Sequence, residues 1–200
     1  MSIKLALIYY SATSTTYQMA LAFEKEAKAA GAEVRLRKVK ELAPEEAIAQ
    51  NEKWAQHIKD TKNVKEATLE DLEWADAIVL ASPTRYGMPA AQLKQFIDMT
   101  GPLWAEGKLV DKIASSFTTT ATAHGGQETT ILAINNTFYH WGCIIVSPGY
   151  TDESQFVSGN PYGASFTSEN GKLDPDKMAL KALSVHAKRV VEVTKRWVGK

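Results

Sequence analysis

The chain has 200 residues, 44% hydrophobic, 23% charged and 9% aromatic, and its 23 Lys and Arg are balanced by 23 Asp and Glu. A formal net charge of zero argues against the basic excess of a phosphate-tracking nucleic-acid binder and against the strongly acidic face of a small electron carrier that docks on a basic partner, and the composition excludes intrinsic disorder. One cysteine, Cys143, leaves no internal disulfide and no Cys-rich metal site.

Taken in order, the chain alternates short apolar runs with longer helical stretches. Ile3 to Tyr9 is the first expected strand. At roughly eight apolar residues it is too short to span a membrane, and no signal-peptide cleavage pattern follows it, so a cytoplasmic location is expected. Thr16 to Ala30 carries Met19, Ala20, Phe23, Ala27 and Ala30 on one helical face and stops at Gly31. Glu33 to Lys38 contains the alternating run Val34 to Arg37, which predicts an edge strand with one wet face. Glu41 to Glu70 is long, charged and helical in part. Ala77 to Ser82 and Cys143 to Val146 are continuously apolar, as strands covered on both faces should be. Between them, Ala91 to Thr100 predicts a helix ended by Gly101-Pro102, Ile113 to Thr118 a strand, and Glu128 to Trp141 a helix ended by Gly142. Pro148 to Leu173, rich in Gly, Ser, Asn and aromatics, reads as a long loop of functional or interfacial use. Asp174-Pro175 provides an N-cap and a first-turn proline for a last helix running to Val198. Every strand-to-strand interval accommodates a crossover helix, so the expected fold is one α/β domain over residues 1–200 with a doubly wound, five-stranded parallel sheet.

In such a sheet ligands bind beyond the carboxyl ends of the strands, which selects three loops. After the first strand come Ser11, Ala12, Thr13, Ser14, Thr15 and Thr16, five hydroxyls entering a helix. Hydroxyls and the free N–H groups of a helix N-terminus make a phosphate site without Lys or Arg; the plainer alternative is an N-cap with a polar turn. After the third strand, Pro83 to Pro89 brings Tyr86 and Met88, suited either to a wall beside a flat aromatic ligand or to a loop packed on its own helix. After the fourth, Thr119 to Glu128 is a small-residue loop with His124, Gly125 and Gly126, open to close backbone approach or simply a flexible turn. Neither the dinucleotide glycine fingerprint nor the P-loop is present.

These residues also carry a family resemblance. Ser11-x-Thr13-Ser14-x-Thr16 is similar to the flavodoxin phosphate loop, with Ser14 in place of the usual Gly. Together with SPTRYG at 82–87, TGPLWAEGKL at 100–109, HGGQETT at 124–130 and GNPYGAS at 159–165, it resembles the WrbA family of NAD(P)H:quinone oxidoreductases over nearly the whole chain. The resemblance implies the flavodoxin-like strand order 2-1-3-4-5 and FMN as cofactor. Ser11 to Thr16 would hold its phosphate, and Thr84, Arg85 and Tyr86 would flank its isoalloxazine. Thr119, Thr120, Ala121, Thr122, Ala123, His124 and Gly125 would wrap its dimethylbenzene and pyrimidine side. His140 corresponds to an FMN-binding histidine of the family, reaching from a neighbouring subunit, and Trp104 to the aromatic residue of the substrate cavity. The resemblance further implies a homotetramer, NAD(P)H and quinones as small-molecule partners, no metal, no catalytic side chain and ping-pong transfer of two electrons. The chain departs from the family in carrying Thr13-Ser14-Thr15 where many members have Tyr-Gly-His. It also carries Ala121, Ala123 and an extra His124 where glycines are common.

Other conspicuous residues read as structural. His57 and His186 fall in helical stretches, Cys143 in an apolar strand, and Trp54, Trp74 and Trp197 suit packing. Glu24, Lys25, Glu26 and Lys28 read as a solvated helix face. Two other function classes share this outline: a flavodoxin-type single-electron carrier, and a flavin-free regulatory or interaction module. A phospho-acceptor domain is disfavoured, since Ser11 stands where it would need an Asp cluster.

Overall fold

The computed structural model describes residues 2–199. Its first strand, β1 (Ile3–Tyr9), is buried on both faces, and the period-two geometry of a strand sorts its side chains into two cores. Ile3, Leu5, Leu7 and Tyr9 join Met19 and Phe23 of α1 (Thr15–Ala29) and Leu183, Val190 and Val191 of α9 (Lys177–Val198). Ala6 and Ile8 join Leu93 and Phe96 of α5 (Ala91–Asp98) and Ile134 and Phe138 of α7 (Gln127–Trp141). One sheet between two helical layers follows directly from apolar runs with no wet face.

The remaining strands are β2 (Ala32–Lys38), β3 (Ala77–Arg85), β4 (Met88–Pro89), β5 (Ile113–Thr120), β6 (Ile144–Ile145) and β7 (Ser165–Thr167). The parallel path runs β2-β1-β3-β5-β6, with β4 folded back antiparallel on β3. Once that hairpin is set aside, this is the expected 2-1-3-4-5 order. β2 lies at the edge, as its alternation predicts. Arg35 and Arg37 reach Asp71 of α4 (Leu69–Trp74) at 3.2 and 3.0 Å, and the Arg35 guanidinium lies 4.1 Å from the Trp74 ring centroid. These charges sit on the edge strand, where they discourage pairing with another chain. The charged stretch after β2 forms α2 (Glu45–Ala49), α3 (Glu52–Asp60) and α4.

Besides shifts of one to three residues at the ends of several strands and helices, three expectations change. The segment 148–173 is not a plain loop: it contains α8 (Glu153–Ser158) and β7. Asp152 caps α8 by accepting from the Ser154 N–H at 2.9 Å, and the buried Gln155 amide donates to the Ala182 carbonyl of α9 at 2.9 Å. The fifth position of the sheet is therefore shared, β6 pairing with the start of β5 and β7 with its end. The return passes Gly163, where a Cβ would lie 2.3 Å from the Ser116 carbonyl oxygen, so only glycine permits the approach. The last helix is capped by Asp176, whose carboxylate accepts from the Ala179 N–H at 2.8 Å, while Asp174 instead accepts from the Gln18 amide at 2.9 Å. The helix from Ala91 ends at Asp98, and Gly101-Pro102 begins the short α6 (Gly101–Ala105) rather than stopping a longer α5.

His186 closes the split. Its Nδ1 accepts from the Ala164 N–H at 3.3 Å, and its Nε2 lies 2.6 Å from Ser115 Oγ, which donates to the Val146 carbonyl at 2.6 Å. With the Ser115 proton spent on Val146, the ring donates from Nε2 and is neutral. Burial, with a smaller contribution from Arg189, pushes its pKa down to about 3.

Candidate functional site

The carboxyl ends of β1, β3 and β5 open into one cleft of ≈ 270 Å³. Its first wall is the loop into α1, from which Ser11, Ala12, Thr13, Thr15 and Thr16 line the space. Ser14 turns the chain at φ 75°, a left-handed conformation, and its side chain makes no cap hydrogen bond. The first turn of α1 contains no acidic residue, and its N–H groups have no intrahelical acceptor. The second wall is the β3–β4 hairpin, where Pro83, Thr84 and Arg85 face the cleft. Thr84 Oγ1 accepts from the Gly87 N–H at 3.1 Å, and Tyr86 at φ 54° leaves its ring fully exposed at the hairpin tip. The third wall comes from β5: Thr119, Thr120 and Ala121 line the space, while Thr122, Ala123 and His124 sit exposed at the rim with Gly125 beside them.

Direct contacts lock the three walls together. The buried Thr16 and Thr119 hydroxyls are 2.8 Å apart. The Thr84 and Thr130 hydroxyls are also 2.8 Å apart, which joins the hairpin to α7. A Cβ on Gly126 would lie 2.7 Å from Gly87 Cα, so the second and third loops meet backbone to backbone.

Sequence reasoning missed two further contributors. Asn51, the N-cap of α3, reaches the cleft, and so does the turn Ser168–Gly171 through Ser168, Asn170 and Gly171. Ser168 donates to the Thr120 carbonyl through both N–H and Oγ, at 2.8 and 3.1 Å. A Cβ on Gly171 would meet Thr13 Oγ1 at 2.8 Å, and the Gly171 carbonyl accepts from Lys53 Nζ at 2.6 Å. Asn170-Gly171 is a legible turn signal, but nothing local says which loop the turn will cover. Glu41 anchors α3 beside the cleft: its carboxylate accepts from Tyr10 Oη, Trp54 Nε1, Gln92 Nε2 and the Leu42 and Ala43 N–H groups. Burial alone would raise its pKa, but these bonds hold it below the ordinary carboxylate value.

His140 and Trp104 lie elsewhere. α7 leads away from the cleft, and thirteen residues at 1.5 Å each put His140 about 20 Å along it. There the Trp104 indole N–H donates to the His140 carbonyl at 2.9 Å, on an exposed face shared with Tyr139. Cys143 is half-buried, its thiol pushed up to about 12 by burial, so it is not a thiolate at neutral pH. His57 is buried against the Tyr17 ring at 5.5 Å, and desolvation, reinforced by Lys38, lowers it to about 4. Among the described residues no three His, Cys, Asp or Glu side chains are grouped to hold a metal ion.

A parallel sheet in this order, with a hydroxyl-lined helix N-terminus at its carboxyl edge, defines a flavodoxin-like α/β protein. Structural comparison agrees: the flavodoxin, WrbA-like protein from Agrobacterium tumefaciens superposes with a TM-score of 0.69 at 22% identity, over 98% of this chain and 99% of that one. An archaeal flavodoxin gives 0.64 at 16% identity, over 96% and 99%. The model of the NADPH-dependent FMN reductase family matches residues 3–156, and the chain belongs to that family. It is 46% identical over 200 residues to a protein of Deinococcus radiodurans named NAD(P)H dehydrogenase (quinone), covering 98% of each. A Sinorhizobium fredii protein of the same name is 41% identical, covering 95% of this chain and 96% of its own. The chain is thus a flavin-binding oxidoreductase of the WrbA and flavodoxin group.

Proposed function

We propose that the protein is an FMN-dependent NAD(P)H:quinone oxidoreductase that reduces quinones by two electrons in a ping-pong cycle. The observation that carries this reading is the hydroxyl-lined N-terminus of α1, tied to the third loop by the Thr16–Thr119 hydrogen bond. Its donor set suits a phosphate dianion, since hydroxyls and helix N–H groups deliver hydrogen bonds without a buried cation. FMN, when bound, supplies the hydride acceptance from NAD(P)H and the delivery of two electrons to a quinone.

The residues of the chain bind and orient. Ser11 to Thr16 grip the phosphate. Thr84, Arg85 and Tyr86 stand along one side of the ring, with Arg85 offering positive charge at its polar edge. Thr119 to Gly125 would close on the other side through backbone groups, and the Ser168–Gly171 turn, which meets Thr13, would cover the phosphate end. Were the bound ring left open on one face, nicotinamide and quinone would have to use that face in turn, which is the basis for expecting ping-pong order. His140 and Trp104 lie too far from the cleft of their own chain to contribute there, so in this reading they serve a neighbouring subunit of a homotetramer. One domain over residues 1–200 and a cytoplasmic location complete the proposal; no helix of the described residues is long and apolar enough to cross a membrane.

An absorption spectrum of the purified protein followed by anaerobic NADH titration tests the activity. A yellow protein is expected, bleached by NADH without a partner protein and restored by a quinone. A protein that takes up no added FMN overturns the reading. Light scattering is expected to give a four-chain mass, and a monomer would remove His140 and Trp104 from the site.

A further inference from the structure

Gln127, the first residue of α7, lies outside the cleft wall but is bonded to it. Its Nε2 donates to Thr120 Oγ1 at 3.0 Å and to Thr167 Oγ1 at 2.9 Å, and its Oε1 accepts from Ser165 Oγ at 2.6 Å. Ser165 Oγ in turn accepts from the amide of the buried Asn160 at 3.0 Å. That chain sets the direction of every bond. Ser165, facing an amide donor on one side, has its own proton free for Gln127 Oε1, and both Gln127 amide hydrogens are spent on threonine oxygens.

The consequence reaches the third loop. Because Thr120 Oγ1 accepts from Gln127, its proton goes to the Thr122 carbonyl, 2.8 Å away. The same carbonyl receives the Gly125 N–H at 3.0 Å. The turn 120–125 is therefore closed on one oxygen, and the Gln127 amide sets the polarity of that closure. We propose that Gln127 is the positioning residue of the third loop, acting through Thr120 to hold the backbone that meets the flavin ring. This rests on the FMN reading above. Reversing the donor at Gln127 would force Thr120 to donate toward it and abandon Thr122, which opens the turn without removing any atom of the cleft wall.

The test is a cycle of Gln127→Glu, Thr120→Val and the double variant, with FMN titrated into each apoprotein and followed by flavin fluorescence. Gln127→Glu keeps the shape and replaces the amide donor by an acceptor. Each single change is expected to weaken FMN about tenfold, and the double to weaken it no further, since both break one chain of bonds. The visible band of the bound flavin should shift alike in all three. Thr167→Val, which removes the other partner of the same amide, should leave FMN affinity within about twofold and the band in place, and it reports any general cost of disturbing Gln127. Wild-type affinity in Gln127→Glu, additive losses in the double variant, or an equal loss in Thr167→Val would each overturn the positioning role. A wild-type protein that binds no FMN would instead overturn the FMN reading itself.

Discussion

Thr16 and Thr119 stand 103 residues apart in the chain and 2.8 Å apart in space, hydroxyl to hydroxyl and buried, where α1 begins and β5 ends. Two hydroxyls joined by one hydrogen bond keep one proton in reserve, and both residues line the cleft. The pair therefore ties two walls together and still has a donor for an anion.

Thr16→Val breaks that tie and strands the Thr119 hydroxyl. An unsatisfied buried hydroxyl costs about 1–3 kcal/mol, so the unfolding midpoint should fall. FMN affinity should drop at least tenfold in Thr13→Val/Thr16→Val, with riboflavin affinity much less affected because it lacks the phosphate. Parallel fluorescence titrations with the two flavins measure this, and equal losses for both would refute a phosphate role for these hydroxyls.

Ser14 sits at φ 75° with its side chain unused as a cap. A left-handed non-glycine residue carries about 1–2 kcal/mol of steric cost, part of which glycine would return in unfolded-state entropy. Ser14→Gly should leave stability unchanged or raise it by up to about 1 kcal/mol. Ser14→Val should lower it by about 1–2 kcal/mol, since β-branching aggravates the same clash. Urea unfolding of the two variants checks the contrast.

Gly126 allows the second and third loops to touch. At φ +88°, and with a Cβ that would fall 2.7 Å from Gly87 Cα, alanine there cannot be accommodated by a side-chain rotation. Gly126→Ala should cost about 2–4 kcal/mol, the sum of a left-handed alanine and an overpacked backbone contact. Thermal unfolding should show the loss, and a variant as stable as the parent would mean that the two loops separate freely.

Acid sensitivity should trace to two buried histidines. His186 and His57 titrate at about 3 and about 4 in the folded chain, against an ordinary value of 6.5. Below about pH 6.5 the unfolded chain binds protons that the native chain refuses, so stability falls as pH falls, by up to about 1.4 kcal/mol per pH unit for each group. Between pH 6.5 and 5 this precedes the loss from Glu26, Glu41 and Asp71, whose pKa values lie below the ordinary carboxylate range. Urea unfolding across that window should give a slope that His186→Gln reduces by about one proton. An unchanged slope would place the sensitivity elsewhere.

The doubly wound parallel sheet, the edge position of β2 and the three cleft loops were legible because each is encoded locally, whereas the order of the strands came only from the family resemblance. A run such as AIVLAS at 77–82 has no polar face to expose, VRLR at 34–37 has one, and five hydroxyls before a helix are visible without any tertiary contact. The division of 148–173 into α8 and β7 was less legible. The hydroxyls of β7 resemble loop chemistry until Thr118–Thr120 provide a ladder for Ser165–Thr167. Likewise the cap expected at Asp174-Pro175 falls instead to Asp176, because Gln18, 156 residues from Asp174, engages the Asp174 carboxylate.

By itself, then, the sequence determined the layering of the sheet and which strand ends carry small and hydroxylated residues, because burial period and turn chemistry act over a few residues. Only the tertiary structure decided that Asn51, Ser168, Asn170 and Gly171 join the cleft, that the Gln127 amide bonds to Thr120, and that His140 and Trp104 sit together at the far end of α7. Those outcomes depend on hydrogen bonds and close approaches between segments that meet only after the helices have packed on the sheet. No local pattern of polarity specifies such a meeting in advance.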